Sequence, residues 1–299
     1  VKRFAVSVPA TSANLGPGFD SVGLALDLRI RADVTVLDAG DAPRWTFTGP
    51  EAPTHNGLRD EMLRAIRTLF AAVGAVPPPL AIVVDNPIPL GRGLGGSAAG
   101  AALGLAIGAA VRDPAPDEAE LTRTISVLEG HPDNGVPAIV GGVVVAVAED
   151  EDVIYARFAP PPELRAFVVV PGFSMPTREA RAILPDAYPR RDAVYNVGHA
   201  ALLGAAFASG DIGLLRVAMR DRLHQPFRAS FVPGLNEMIA LDVPGLAGVA
   251  LSGAGPSVLA LATPGSAAGE RIREIFASHD VVARVFDLAL ATRGIVTEG

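Results

Sequence analysis

Residues 89–100 read PLGRGLGGSAAG, with five glycines and one serine in twelve positions, and run directly into the almost purely apolar AALGLAIGAA. This junction limits the folds open to the chain. The most permissive backbone in the sequence is set against a segment that only makes sense as a buried helix. A helix start offers unpaired N–H groups and the positive end of its dipole, and a glycine loop lets a ligand approach the main chain. Together Gly91, Gly93, Gly95 and Gly96 predict a nest for phosphate oxygens, with Arg92, Leu94, Ser97 and Ala98 completing the loop and the first helical turn. Ser97 stands where its hydroxyl either caps the helix or joins a magnesium coordination sphere. A plain glycine-rich turn is the competing reading. The dinucleotide fingerprint fits poorly, because Gly91–Gly96 lacks GxGxxG spacing.

Lys2 is the only lysine, so every other basic side chain is arginine. A P-loop and a protein kinase each need a lysine on the phosphates, and both are thereby excluded. Phosphate chemistry here must use backbone amides, arginines and a metal. With 25 basic against 32 acidic residues the net charge is −7, which argues against nucleic acid as a partner. A 49% hydrophobic content supports a sizeable core, and the absence of cysteine rules out thiolate chemistry. The first residues, VKRFAVSVPATSANLG, lack an apolar leader, and the apolar runs are too short to span a membrane. The expected setting is the cytoplasm.

Along the chain, KRFAVSV reads as a strand, TSANLGPGFDSVG as a glycine-containing loop, and residues 24–37 as further strand. Residues 40–57, rich in Gly, Pro and Thr, read as turns or an exposed excursion. Helices are expected over 60–73, 97–111 and 117–129, with strands at LAIVVD and AIVGGVVVAVA. The acidic, proline-rich stretch 149–163 predicts a boundary. Beyond it come the strand RAFVVVP, helical segments through 177–242, a strand-turn-strand at 248–261, a helix over 266–278 and the strand DVVARVFDL. This pattern predicts two α+β domains divided within that stretch.

Four ordered motifs make the reading specific: PATSANLGPGFDSVG (9–23), PIPLGRGLGGSAAG (87–100), EGHPDNGVPAIVGG (129–142) and LSGAGPSVLAL (251–261). Taken together, they resemble the GHMP small-molecule kinases, and most closely the homoserine kinase branch. The resemblance implies an S5-like N-terminal ATP-binding domain, residues 1–160, and a ferredoxin-like C-terminal domain, residues 161–299, with the active site between them. It implies ATP and Mg²⁺ as co-substrate and metal, L-homoserine as acceptor, a role in threonine biosynthesis, and a homodimer. Ser97 and Glu129 would carry the magnesium, two hard oxygen ligands being enough for an ion that keeps waters and phosphates. Asn14, Asp20, His131, Asn134, Thr177, Arg181 and Arg228 would contact the amino-acid substrate. The two arginines suit its carboxylate, because a planar guanidinium takes both oxygens.

Asp20 suits the substrate ammonium. Without a lysine partner, positioning is favoured over an Asp–Lys base. Two departures stand out. Gly96 replaces the first serine of the family's GLGSS, and Met62 aligns where relatives place an adenine-contacting asparagine, leaving Asn56 or the main chain to take that part. A sister kinase acting on another alcohol such as mevalonate, and a non-catalytic amino-acid or nucleotide sensor, are the alternatives.

Overall fold

Near-continuous burial of its first strand sets the first sheet. β1 (Arg3–Asn14) turns Phe4, Val6, Val8 and Ala10 into the core, and β2 (Gly18–Val36) pairs with it along nearly its whole length. The protein is described as a computed structural model covering residues 2–50, 56–150 and 152–299, with the Thr177 side chain outside the described residues. The segment TSANLGPGFDSVG, expected as a loop, is mostly strand: β1 runs through Asn14 and β2 begins at Gly18. Its small polar residues hide the pattern, since Thr11 and Ser12 are fully buried and paired rather than exposed. Register shifts at Pro9/Ala10 and Ala13/Asn14 bend the long hairpin.

Four more strands extend this sheet. β3 (Arg44–Thr48) lies parallel to β4 (Leu80–Asp85), which pairs with the end of β2. β5 (Val143–Glu149) joins β2 at Val22–Leu24 and carries β6 (Asp152–Phe158) on its other edge. β3 falls inside the stretch expected to be turns or an exposed excursion.

Helices α1 (Asn56–Ala71), α2 (Gly96–Val111), α3 (Glu118–Glu129) and α4 (Pro132–Val140) cover the sheet. α2 is buried at every position from Ala98 to Gly108, which is why its sequence is apolar all round. Its close approach to α1 depends on Gly104, where a Cβ would lie 2.4 Å from the Met62 carbonyl oxygen. The expected strand AIVGGVVVAVA divides: Ala138–Val140 end α4, Gly141 and Gly142 turn the chain, and the strand starts at Val143. Pro132 at the helix start and a glycine at its end are the local reasons.

The second unit holds β7 (Arg165–Pro171), α5 (Thr177–Ala182), α6 (Arg190–Ser209), α7 (Leu215–Ala218), α8 (Gln225–Arg228), α9 (Leu235–Ile239), β8 (Leu246–Leu251), β9 (Val258–Ala262), α10 (Ala268–Ser278) and β10 (Ala283–Ala289). Its sheet runs β10-β7-β9-β8 with every neighbour antiparallel, the ferredoxin-like order. Alternate residues of β7 serve two cores. Ala166, Val168 and Val170 join the large core that continues into the first unit, while Phe167 and Val169 pack with Ile272 and Phe276 of α10.

The end of the 161–299 segment does not stay with this unit. After β10 the chain bridges Leu290 to Leu26, and β11 (Val296–Glu298) adds to the edge of β1. Among the described residues no helix is long and apolar enough to cross a membrane.

Candidate active site

The glycine loop delivers the start of α2 to a cavity between the units. Gly95, in the left-handed region at φ 65°, precedes the helix and no side chain caps it. Ala99 donates to the Gly95 carbonyl at 2.7 Å, and the amides of Gly96, Ser97 and Ala98 ahead of it make no backbone bond among the described residues. These amides form the positive pole of a long helix with no acidic residue in its first turn. The loop's conformation is dictated by packing as much as by torsion. A Cβ on Gly95 would lie 1.9 Å from Thr11 Oγ1, and one on Gly93 would lie 2.2 Å from the Ser252 carbonyl oxygen.

From the opposite side, the turn after β8 grips the loop. Ser252 donates from Oγ to the Gly93 carbonyl at 2.6 Å, and Gly253 N–H reaches the Ala13 carbonyl at 3.0 Å. Arg92 adds a strut, donating from Nη1 to the Pro171 carbonyl at 2.8 Å while its buried Nε has no partner among the described residues. Leu94 does not line the cavity. It is 0% exposed and anchors the loop in the core, its carbonyl taken by Thr11 N–H at 3.1 Å.

The cavity, about 150 Å³, is lined by Gly91, Arg92, Gly93, Gly95, Gly96, Ser97 and Ala98 at one end. Asn14, Asp20, Glu129, His131, Asn134, Arg181 and Arg228 line the rest. Residues dispersed over more than two hundred positions of sequence thus meet in one place. Ser97 Oγ donates to Glu129 Oε1 at 3.1 Å, a pair of hard oxygens at the mouth of the helix. Burial raises the Glu129 pKa, with the neighbouring Glu61 adding to it and the Ser97 hydrogen bond opposing it. A half-buried carboxylate beside a hydroxyl oxygen is suited to a cation.

The amino-acid end carries paired charges. Asp20 accepts both Arg181 nitrogens, Nη1 and Nη2, at 2.8 Å each, and this bond helps hold Arg181 charged. Asp20 itself sits at φ 55° and Asn14 at φ 69°, left-handed conformations that Asp and Asn tolerate best. Asn14 keeps the turn in place: its Oδ1 accepts the Asp20 N–H at 3.0 Å and its Nδ2 donates to the Gly253 carbonyl at 2.9 Å. Opposite, Asp133 accepts from His131 Nδ1 and from Asn134 Nδ2, and Asn134 Oδ1 accepts the Thr11 hydroxyl at 2.8 Å. Burial disfavours the charged form of His131, but its bond to Asp133 and the charges of Asp133 and Asp20 outweigh this and raise its pKa. Asp20, His131 and Asp133 make an anionic pole.

Arg228 lies across from that pole and is 2% exposed. Its Nε donates to the Ala180 carbonyl at 3.0 Å and its Nη1 to His224 Nδ1 at 3.0 Å, with no carboxylate partner among the described residues. Burial, reinforced by Arg181, pushes the guanidinium down to about 10, which still leaves it charged at neutral pH. Phe19 is a shelf for both arginines, its ring centroid 5.5 Å from the guanidinium carbon of Arg181 and 5.6 Å from that of Arg228. Thr177 begins α5, but its side chain lies outside the described residues.

Phe19, His224 and Asp221 went unread in the sequence. The spacing of Asp221, His224 and Arg228 in DRLHQPFR, three then four apart, is the signal that would have exposed the last two. Neither adenine candidate sits in the cavity. Met62 is 0% exposed beneath α2, and Asn56 is exposed at the start of α1. Lys2 donates to the Ala110 carbonyl at 2.6 Å, at the far end of α2. At 1.5 Å per residue that is roughly 20 Å from Ser97.

A glycine loop running into the open start of α2, the Ser97–Glu129 oxygen pair and a set of opposed charges, lying between an α+β sheet domain and a ferredoxin-like one, are the arrangement of a small-molecule kinase. Profiles of the GHMP kinases N terminal domain and the GHMP kinases C terminal domain match residues 60–142 and 203–280. The homoserine kinase of Moorella thermoacetica is 40% identical over 97% of this chain and 98% of its own length. That of Deinococcus radiodurans is 38% identical over 99% and 97%. The crystal structure of homoserine kinase from Cytophaga hutchinsonii superposes with a TM-score of 0.86 at 25% identity, covering 99% of this chain and 98% of that one. The chain belongs to the homoserine kinase family of the GHMP kinases.

Proposed function

We propose that this chain transfers the γ-phosphoryl group of ATP to the hydroxyl of L-homoserine, giving O-phospho-L-homoserine and ADP for threonine biosynthesis. The relatives described above support the reaction. The observation that carries the substrate is Arg228, a buried guanidinium facing the cavity with no carboxylate bonded to it among the described residues. An amino acid supplies the missing anion.

In this reading Arg181 and Arg228 take the substrate carboxylate and Asp20 takes its ammonium. Entry of a zwitterion exchanges the Asp20–Arg181 pair for two new pairs, so no charge is stranded. His131 and Asn134 flank the same pole and orient the chain that bears the hydroxyl. The open amides of Gly96, Ser97 and Ala98 take phosphate oxygens, and Arg92 adds the loop's only cationic side chain. Ser97 Oγ and Glu129 Oε1 fit a magnesium ion by chemistry and spacing. When bound, the ion neutralises charge on the phosphate oxygens.

The new bond forms between the substrate hydroxyl oxygen and phosphorus, the bond from phosphorus to ADP breaks, and the hydroxyl proton leaves to solvent or product. Such a loose transition state calls for alignment and charge compensation more than for a strong base. Asp20, committed to cations, has the positioning part, and the distance of Lys2 removes an Asp–Lys pair from consideration.

The test is ATP-dependent phosphate incorporation measured across homoserine, mevalonate, shikimate and galactose. Turnover of homoserine alone is expected, and turnover of another alcohol with none of homoserine would overturn the substrate reading. A cytoplasmic homodimer completes the proposal. Exposed Val147 and Ile154 on the β5–β6 hairpin and Val194 and Val197 on α6 support a second copy, which sedimentation would detect.

A further inference from the structure

Arg228 is held by a residue that no part of the reaction requires directly. His224 precedes α8 and is 0% exposed, with one ring nitrogen facing each domain. Nδ1 lies 3.0 Å from Arg228 Nη1, and Nε2 lies 2.7 Å from the carbonyl of Gly16, in the turn between β1 and β2. A guanidinium only donates, so Nδ1 must accept and the ring proton must sit on Nε2, which donates to Gly16. Complete burial, the main cause of its lowered pKa, favours the same neutral ring.

The surroundings fix both ends of this link. Asp221 accepts the backbone N–H groups of Leu223, His224 and Gln225 at 2.7–3.0 Å, which locks the peptide carrying the ring. Gly16 is clamped from outside, since a Cβ there would lie 2.0 Å from the Met219 carbonyl oxygen. Four residues beyond Gly16 stands Asp20. A single imidazole therefore spans the turn that presents the ammonium-binding carboxylate and the arginine that faces it.

We propose that His224 is a positioning residue for amino-acid recognition: its neutral ring fixes the separation between Arg228 and the Gly16–Asp20 turn, and so the length of zwitterion the cavity accepts. The proposal rests on Arg228 as the carboxylate ligand. His224→Asn keeps an acceptor near the place of Nδ1 without reaching Gly16. His224→Gln places a donor near that of Nε2 without an acceptor for Arg228. His224→Phe removes both bonds at similar volume.

The readouts are the homoserine KM, the ATP KM, and the inhibition constant of 3-aminopropan-1-ol, which keeps the ammonium and hydroxyl but lacks the carboxylate. His224→Phe is expected to raise the homoserine KM about tenfold to a hundredfold, with the other two constants within about threefold. His224→Asn should recover more than His224→Gln, because only Asn restores the acceptor for the cation. If the Phe variant does not fold, the Asn and Gln variants carry the same comparison. A rise in all three constants together, or in none, would overturn the proposal. Arg228→Met, measured in parallel, separates the failures. If it leaves the homoserine KM unchanged, the carboxylate reading falls. If it raises that KM while the His224 variants do not, only the role of His224 falls.

Discussion

Gly93→Ala should damage this protein far more than a substitution three residues further along the same loop. Gly93 sits at φ 81°, where an L side chain is strained, and its new Cβ would meet the Ser252 carbonyl at 2.2 Å and the Gly255 carbonyl at 2.9 Å. Both neighbours are backbone, so neither can swing aside. The left-handed torsion costs about 1–2 kcal/mol. Overpacking against a fixed wall adds about 1–3 kcal/mol, bringing the expected loss to roughly 2–5 kcal/mol.

Gly96→Ser is the contrast. Its φ is outside the left-handed region and its Cβ would meet only the tip of Leu90, Cδ2 at 2.9 Å, which a rotamer change relieves. It should cost less than about 1 kcal/mol and leave kcat within about threefold, even though it restores the family's GLGSS spelling. Urea unfolding at equilibrium compares the two, and each kcal/mol lost should lower the melting temperature by roughly 2–4 °C. The ATP KM should rise in Gly93→Ala alone. Equal stability and equal ATP KM in the two variants would refute the assignment of Gly93 to interdomain packing.

Glu129→Gln should raise the magnesium concentration needed for half-maximal rate by at least about tenfold, with partial recovery at high magnesium. A magnesium titration of initial rates checks it. The raised pKa of His131 has a defined sign: its stabilising bond to Asp133 is fully present below the ordinary histidine value and is lost as pH rises through the higher folded value. The stability advantage of the wild type over His131→Asn in urea should thus be larger at about pH 5.5 than at about pH 8.5. Lys2→Met should give a lysine-free kinase with kcat and both KM values within about twofold, since Lys2 bonds the Ala110 carbonyl far from the phosphates.

The glycine loop was legible because its physics is local. A chain that places Gly91–Gly96 before a buried helix states its purpose within twenty residues; α1 and α3 follow from apolar periodicity, and α2 from an unbroken apolar run. The charged pole was legible only through the resemblance. Asp20, His131, Arg181 and Arg228 are far apart in sequence, and nothing in their own neighbourhoods distinguishes them from surface charges. Burial was the least readable property. Leu94 looks like part of a ligand loop until the core claims it, and Met62 occupies a family ligand position while packing beneath Gly104. The TSANLGPGFDSVG segment misled for a related reason, since its buried polar residues find partners far off in the chain, Thr11 with Asn134 and Ser12 with Ser252. Phe19 and His224 act through contacts across the two units, for which one-dimensional spacing holds no signal except the DRLHQPFR pattern.

The crossing at the end of the chain binds the fate of the two halves together. Because β11 completes an edge of the first sheet, and Ala166, Val168 and Val170 of β7 belong to the core that runs into the first unit, neither half presents a finished surface without the other. Calorimetry should accordingly record one endotherm rather than two. Cutting the backbone between β10 and β11 should release the final strand and split that endotherm into a broader pair.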